Sequence, residues 1–146
     1  MANPVLSQGT LNRVRGSIII ASFPSLSITP AFMGKNFITV DFDEDYTDQI
    51  ETATGVVNSP EPYVMATVTV GILRTLPLAD AWRAQAKATT ILGHISVHSD
   101  TSAFPVYHFR SMVVKKFEPG AYDGKDPVSR LTLRGVYDIN NDLWNL

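Results

Sequence analysis

The sequence predicts a mainly β fold, an antiparallel β-barrel or sandwich with one packed α-helix. Three observations predict it. Six short runs either alternate apolar and polar residues or are rich in β-branched side chains. Turn-forming Pro, Gly, Asn and Asp separate several of these runs. One segment alone changes from a period of two to a helical period. The 146 residues are read as one domain, 1–146. A chain of this length buries enough surface to fold without staples.

The elements follow in order. Met1 to Thr10 is polar and is expected to be mobile in a lone chain. Gly16-Ser17-Ile18-Ile19-Ile20-Ala21-Ser22-Phe23 reads as a strand stopped by Pro24. Phe37 to Phe42 places Ile38, Val40 and Phe42 on one face. Asn58-Ser59-Pro60-Glu61-Pro62 reads as a rigid turn. Tyr63 to Arg74 is the strongest strand signal, with Val64, Ala66, Val68 and Val70 opposite Tyr63, Met65, Thr67 and Thr69. From Thr75 to Ala88 the spacing is helical. Leu78, Ala81, Trp82 and Ala86 form a stripe, with Asp80, Arg83 and Lys87 away from it. Thr75 is the expected N-cap, and Pro77 belongs in a first turn. Leu78, Ala81 and Trp82 are expected to pack against the β core. Ile91 to His98 sets Ile91, Gly93, Ile95 and Val97 against Leu92, His94, Ser96 and His98. Val106 to Phe117 and Val128 to Tyr137 complete six strands, joined by a hairpin tip over Glu118–Pro127.

Composition narrows the function. Net charge is −2, which lacks the basic excess of a general DNA binder. The absence of cysteine excludes disulfides, thiolate metal sites and a cysteine nucleophile. Charged residues are 18% of the chain, below the ~25% usual for soluble domains, as expected of a surface covered by neighbours. The first apolar run, Ile18 to Ala21, is too short for a signal peptide or a membrane span. Synthesis in the cytoplasm is therefore expected, with no membrane anchor.

Few residues suggest chemistry. Asp41, Asp43, Glu44, Asp45, Asp48 and Glu51 put six of 14 acids into eleven residues. Asp41-x-Asp43-x-Asp45 resembles the start of a calcium loop. Tyr46 replaces the turn glycine, and Thr52 replaces the bidentate glutamate. Nothing fixes a glycosidase carboxylate pair, and the favoured reading is a solvated acidic rim. His94-x-x-x-His98 lies on a strand, where four residues span ~13 Å, too far for one zinc ion. His108 stands alone in the sequence. No serine-nucleophile elbow or phosphate loop is present. Lys115-Lys116 reads as a solvated strand end. The expectation is no enzyme, no cofactor and no metal. Residues 1–62 carry −4 and residues 63–146 carry +2. If these halves form different faces, copies can associate head to tail.

Several stretches resemble the tail tube proteins of contractile-tailed bacteriophages. They are Ser59-Pro60-Glu61-Pro62 with Tyr63 to Val70, Leu78 to Gln85, and Gly135 to Trp144. Gly16 to Ile20 followed by Phe23 to Thr29 fits as well. The resemblance implies a β-barrel or sandwich with one helix, similar to the tube protein of type VI secretion. It implies homohexameric rings stacked into a tube, with tail sheath and baseplate proteins as partners. DNA would pass through the bore unbound, and the protein would be located in the virion tail. Asp48, Glu51, Thr67 and Thr69 are the expected bore residues, because basic groups would hold phosphate. The competing assignment puts the acids between rings, facing Arg130 and Arg134. Met1–Thr10, Asp43–Pro62 and Glu118–Pro127 are the expected joining segments. The alternatives are a tail terminator, a baseplate ring, or a monomeric β-sandwich binding module.

Overall fold

The structure is a computed structural model describing residues 5–9, 16–35, 38–99 and 104–145. Parts of two sequence expectations, at Met1–Thr10 and at Phe37, lie outside the described residues. The chain is mostly β, with strands β1 (Gly16–Ile20), β2 (Thr39–Phe42), β3 (Thr47–Glu51), β4 (Val56–Pro60) and β5 (Tyr63–Leu73). Helix α1 (Pro77–Ala88) follows, then β6 (Ile91–Ser99), β7 (Tyr107–Glu118) and β8 (Val128–Asp138). Short 3₁₀ turns occupy Pro24–Leu26, Pro30–Phe32 and Asn141–Asn145.

Six strands form one antiparallel sheet in the order β1-β6-β7-β8-β5-β2. β3 and β4 form a separate two-stranded ribbon. The large sheet curls into a half-barrel. A Cβ on Gly16, at the start of edge strand β1, would lie 3.4 Å from Cδ1 of Ile38, just before edge strand β2. The edges therefore approach without pairing. β1's outer side is partly covered, since Ile18 and Ile28 exchange backbone bonds of 2.9 and 2.8 Å. Covering an edge in this way blocks uncontrolled strand addition.

The inner face of the curl is the core. β5 supplies Ala66, Val68, Val70 and Ile72, and β8 supplies Leu131 and Leu133. Leu78, Ala79 and Trp82 bring α1 into the same cluster. Trp82 is 0% exposed, and among the described residues no acceptor reaches its Nε1. Ala81 packs against the cluster while partly exposed. The helix starts one residue later than expected, because Leu76 rather than Thr75 is the N-cap and no side chain caps it. Pro77 takes the first position, where its missing N–H costs nothing.

Three further readings need correction. The first strand ends at Ile20 rather than Phe23, because the chain turns into the Pro24 3₁₀ turn. Asn58-Ser59-Pro60 is not a turn but part of β4, and Pro60 is tolerable there because the ribbon has open edges. The alternation read along Ile91–His98 breaks at Gly93: Ile95 and Val97 face the core as read, but Leu92 is buried and Ile91 exposed, the reverse of the reading. Gly93 has φ +82°, the β6–β7 register shifts on either side of it, and Leu92 and Ile95 both enter the core. A second irregularity lies at Ser111, φ +53°, on β7. Beside it Gly135 on β8 approaches β7 closely: a Cβ there would lie 2.1 Å from Met112 Sδ and 2.9 Å from Met112 Cα. Only glycine fits that position.

Candidate assembly surfaces

The face of the sheet opposite the core is polar. Asp41 pairs with Thr67 and Thr67 with Arg134; one step along, Thr39 pairs with Thr69 and Thr69 with Thr132. Paired residues share a face. Thr67 and Thr69 therefore lie on one wall, which Arg134 shares. Asp43, just past β2, ties three strands together there. Its N–H donates to Met65 O at 2.9 Å, and its Oδ2 accepts Thr67 Oγ1 at 2.9 Å and Arg134 Nε at 3.2 Å. Farther along, Arg110 Nε donates to both carboxylate oxygens of Asp138, at 3.0 and 2.8 Å. That hydrogen bond, reinforced by the Asp138 charge, raises the Arg110 pKa.

Asp48 and Glu51 lie elsewhere, on the β3–β4 ribbon. Asp48 pairs with Ser59, Gln49 with Asn58, Ile50 with Val57 and Glu51 with Val56. Positions 48 and 51 are an odd number of residues apart, so they face opposite sides of the ribbon. The four expected bore residues thus do not form one surface within a single chain. Every residue of β3 is exposed, and Ile50, Val56 and Val57 are 55%, 57% and 53% exposed. Between positions 41 and 61 the chain has seven acids and no Lys or Arg.

The ribbon is anchored at its base. Glu61 N–H donates to Tyr46 O at 2.9 Å. Asn140, φ +53°, donates its side-chain amide to Glu61 O at 2.7 Å, and Ile139 N–H donates to Pro62 O at 3.1 Å. Phe42 stacks edge-on to Tyr46 at 5.9 Å and lies 5.1 Å from the Tyr137 ring. Tyr107 lies 5.7 Å from Tyr137 in turn. Burial in this aromatic group, and then Tyr107, push the Tyr137 phenol pKa up.

The other end of β5 carries a different surface. Leu73 pairs with Val128 while Tyr63 pairs with Asp138, so the ribbon and the 119–127 tip stand at opposite ends of the β5–β8 pair. Eleven residues of strand separate them by ~36 Å. Arg74 donates to the carbonyls of Ala121 and Asp126, and its guanidinium lies 5.1 Å from the centre of the Tyr122 ring. Asp123 Oδ1 accepts the N–H groups of Lys125 and Asp126 at 2.9 and 3.2 Å, which lowers its pKa. Arg74, Ala121, Tyr122, Lys125 and Asp126 line a depression of about 420 Å³.

The histidines also depart from the sequence reading. His108 is not alone, because its Nδ1 lies 3.4 Å from Nε2 of His94 on the neighbouring strand. His98 instead meets Ser96 Oγ at 2.8 Å. Only register reveals the first contact, because 14 residues separate the two in sequence. Among the described residues no group of three or more His, Cys, Asp or Glu side chains could hold a metal ion. Among them, no helix is long and apolar enough to cross a membrane.

No protein-family model matches the chain, and no curated protein matches it. The fold does match a solved structure. It is the tube terminating cap of the anti-feeding prophage, determined by cryo-EM, with a TM-score of 0.51. The match covers 94% of this chain and 97% of the cap, at 13% identity. The chain shares the fold of that cap. At this identity the likeness speaks to architecture: a curled antiparallel sheet with one helix, over nearly the whole of both chains.

Proposed function

We propose that this chain is a structural subunit of a phage-type tail tube. Copies associate into rings, six to a ring, and the rings stack around a bore through which DNA leaves. Tail sheath and baseplate proteins are its other partners, and it works in the virion tail rather than as an enzyme. The observation that carries the reading is the β3–β4 ribbon. It is fully exposed along β3, carries Asp48 and Glu51 but no Lys or Arg, and exposes Ile50, Val56 and Val57. A two-stranded ribbon alone in water is marginally stable, so such a ribbon suits a contact completed by a neighbour. The fold shared with a tube terminating cap supports the same setting.

A second reading has its own support. The similar structure is a terminating cap, and terminator was among the alternatives drawn from the sequence. A terminal ring shares a tube subunit's lateral contacts but stacks on one side only. Electron microscopy of the purified chain separates the two. Long tubes favour the tube body, and single rings that do not stack favour the terminal role. A strict monomer at high concentration by light scattering, with no rings in micrographs, would defeat both.

A further inference from the structure

On the polar face of the sheet, His94 from β6 and His108 from β7 bring their imidazoles together. His108 Nδ1 and His94 Nε2 are 3.4 Å apart, the ring centroids 5.4 Å apart, and the ring planes differ by 23°. Both residues are exposed. We propose that His94 and His108 form a binding site for one divalent late transition-metal ion, of the Zn²⁺, Ni²⁺ or Cu²⁺ class, with water filling the remaining positions.

The geometry accommodates an ion. Two imidazole nitrogens bound to a tetrahedral zinc at ~2.0–2.1 Å stand ~3.3–3.4 Å from one another. That is the separation already present. The same separation admits a single N–H···N hydrogen bond when one ring carries its proton on the facing nitrogen, and a bound ion would take the place of that bond. Both lone pairs can face the gap when each imidazole keeps its proton on the outer nitrogen. Imidazole donors select late transition metals over Ca²⁺ and Mg²⁺, which take oxygen ligands.

The surroundings define the kind of site. His98 is engaged by Ser96 Oγ and supplies no third ligand. Arg110 lies two residues along β7 on the same face, with its charge matched by Asp138 at 2.8 Å. Two protein ligands leave the ion open to water, unlike a closed four-ligand structural site. The position also gives the ion something to do. The β6–β7 register shifts on both sides of Gly93, next to His94, whereas His108 sits opposite Ser96 in the regular part of the ladder. A shared ion would cross-link the two strands where their backbone pairing is irregular.

The test uses the isolated full-length chain, so its outcome does not depend on assembly. Zn²⁺ is titrated into metal-free protein above the imidazole titration range, with calorimetry and histidine side-chain ¹⁵N spectra as readouts. One saturable site is expected, with His94 Nε2 and His108 Nδ1 shifting and Tm rising with zinc concentration. His108→Ala should abolish saturable binding. His108→Phe should abolish it too while keeping a flat ring on the strand, and His98→Ala should leave it intact. The proposal fails if no saturation occurs up to millimolar zinc. It fails equally if either His108 variant binds like the parent while its metal-free circular dichroism is unchanged.

Discussion

Arg134 on β8 reaches over β5 to Asp43 beside β2, with 3.2 Å between Nε and Oδ2. The pair is partly exposed, with side-chain exposures of 39% and 32%, so water screens it. A double-mutant cycle of Asp43→Asn and Arg134→Gln should give a coupling of ~0.5–1 kcal/mol that shrinks as salt is added. A coupling above about 2 kcal/mol would mean that the pair is more desolvated than its exposure indicates.

Trp82 is the anchor of α1. Trp82→Ala should cost ~3–5 kcal/mol in a denaturant melt. Trp82→Phe removes an indole N–H that has no acceptor among the described residues, so it should cost clearly less than the alanine variant. A loss below about 1 kcal/mol for Trp82→Ala would show that the helix is not anchored there.

Gly135 should accept no side chain. The Cβ of Gly135→Ala would meet Met112 at 2.1 Å from Sδ and 2.9 Å from Cα. The sulfur can move, but the backbone of β7 must shift as well. The expected loss is ~1–3 kcal/mol, and Met112→Ala in the same chain should recover only part of it. An unchanged melting curve for Gly135→Ala would contradict the close approach of β7 and β8.

Asp48→Lys and Glu51→Lys, made singly, should affect assembly unequally. The two side chains face opposite sides of the ribbon, so one partner surface cannot meet both. Neither variant should change the stability of the isolated chain by more than ~0.5 kcal/mol, since both sites are exposed. A variant that lines the bore should still form tubes but slow DNA ejection. One that lies between subunits should stop polymerisation. Equal effects of the two would overturn the opposite-face geometry.

Asp123 should titrate below the ordinary aspartate range. Bonds from the Lys125 N–H and then the Asp126 N–H favour its charged form in the folded chain. A folded pKa below the unfolded one stabilises the tip above the unfolded value, and that stability is lost as pH falls through the folded value. Side-chain carbonyl shifts followed by NMR should place the midpoint below that of an aspartate in an unstructured peptide. A midpoint at or above that value would mean that the tip is not held by these bonds.

What was legible in the sequence was whatever burial had patterned. β5 alternates so cleanly because one face packs into the core, and α1 reveals itself through Leu78 and Trp82. The β3–β4 ribbon escaped because no residue of β3 is buried, so there is no inside and outside to imprint a period, and Pro60 argues locally for a turn. The irregularity around Gly93 reversed the faces read for Ile91 and Leu92 alone, since a period-two count cannot register an extra residue. Fixed faces for Thr67 and Thr69 were visible in advance. Their neighbour Arg134 was not, because strand pairing is a long-range fact. The His94–His108 contact was hidden for the same reason.

The ribbon and the Arg74–Tyr122 tip occupy opposite ends of the β5–β8 pair, which gives the chain a head and a foot of unlike chemistry. If copies join head to foot, every copy in the stack points the same way. The resulting polymer then has polarity, in the way that a filament has a growing end and a finished one. A protein that closes such a tube needs to recognise only one of the two ends, and the same asymmetry would let it ignore the other.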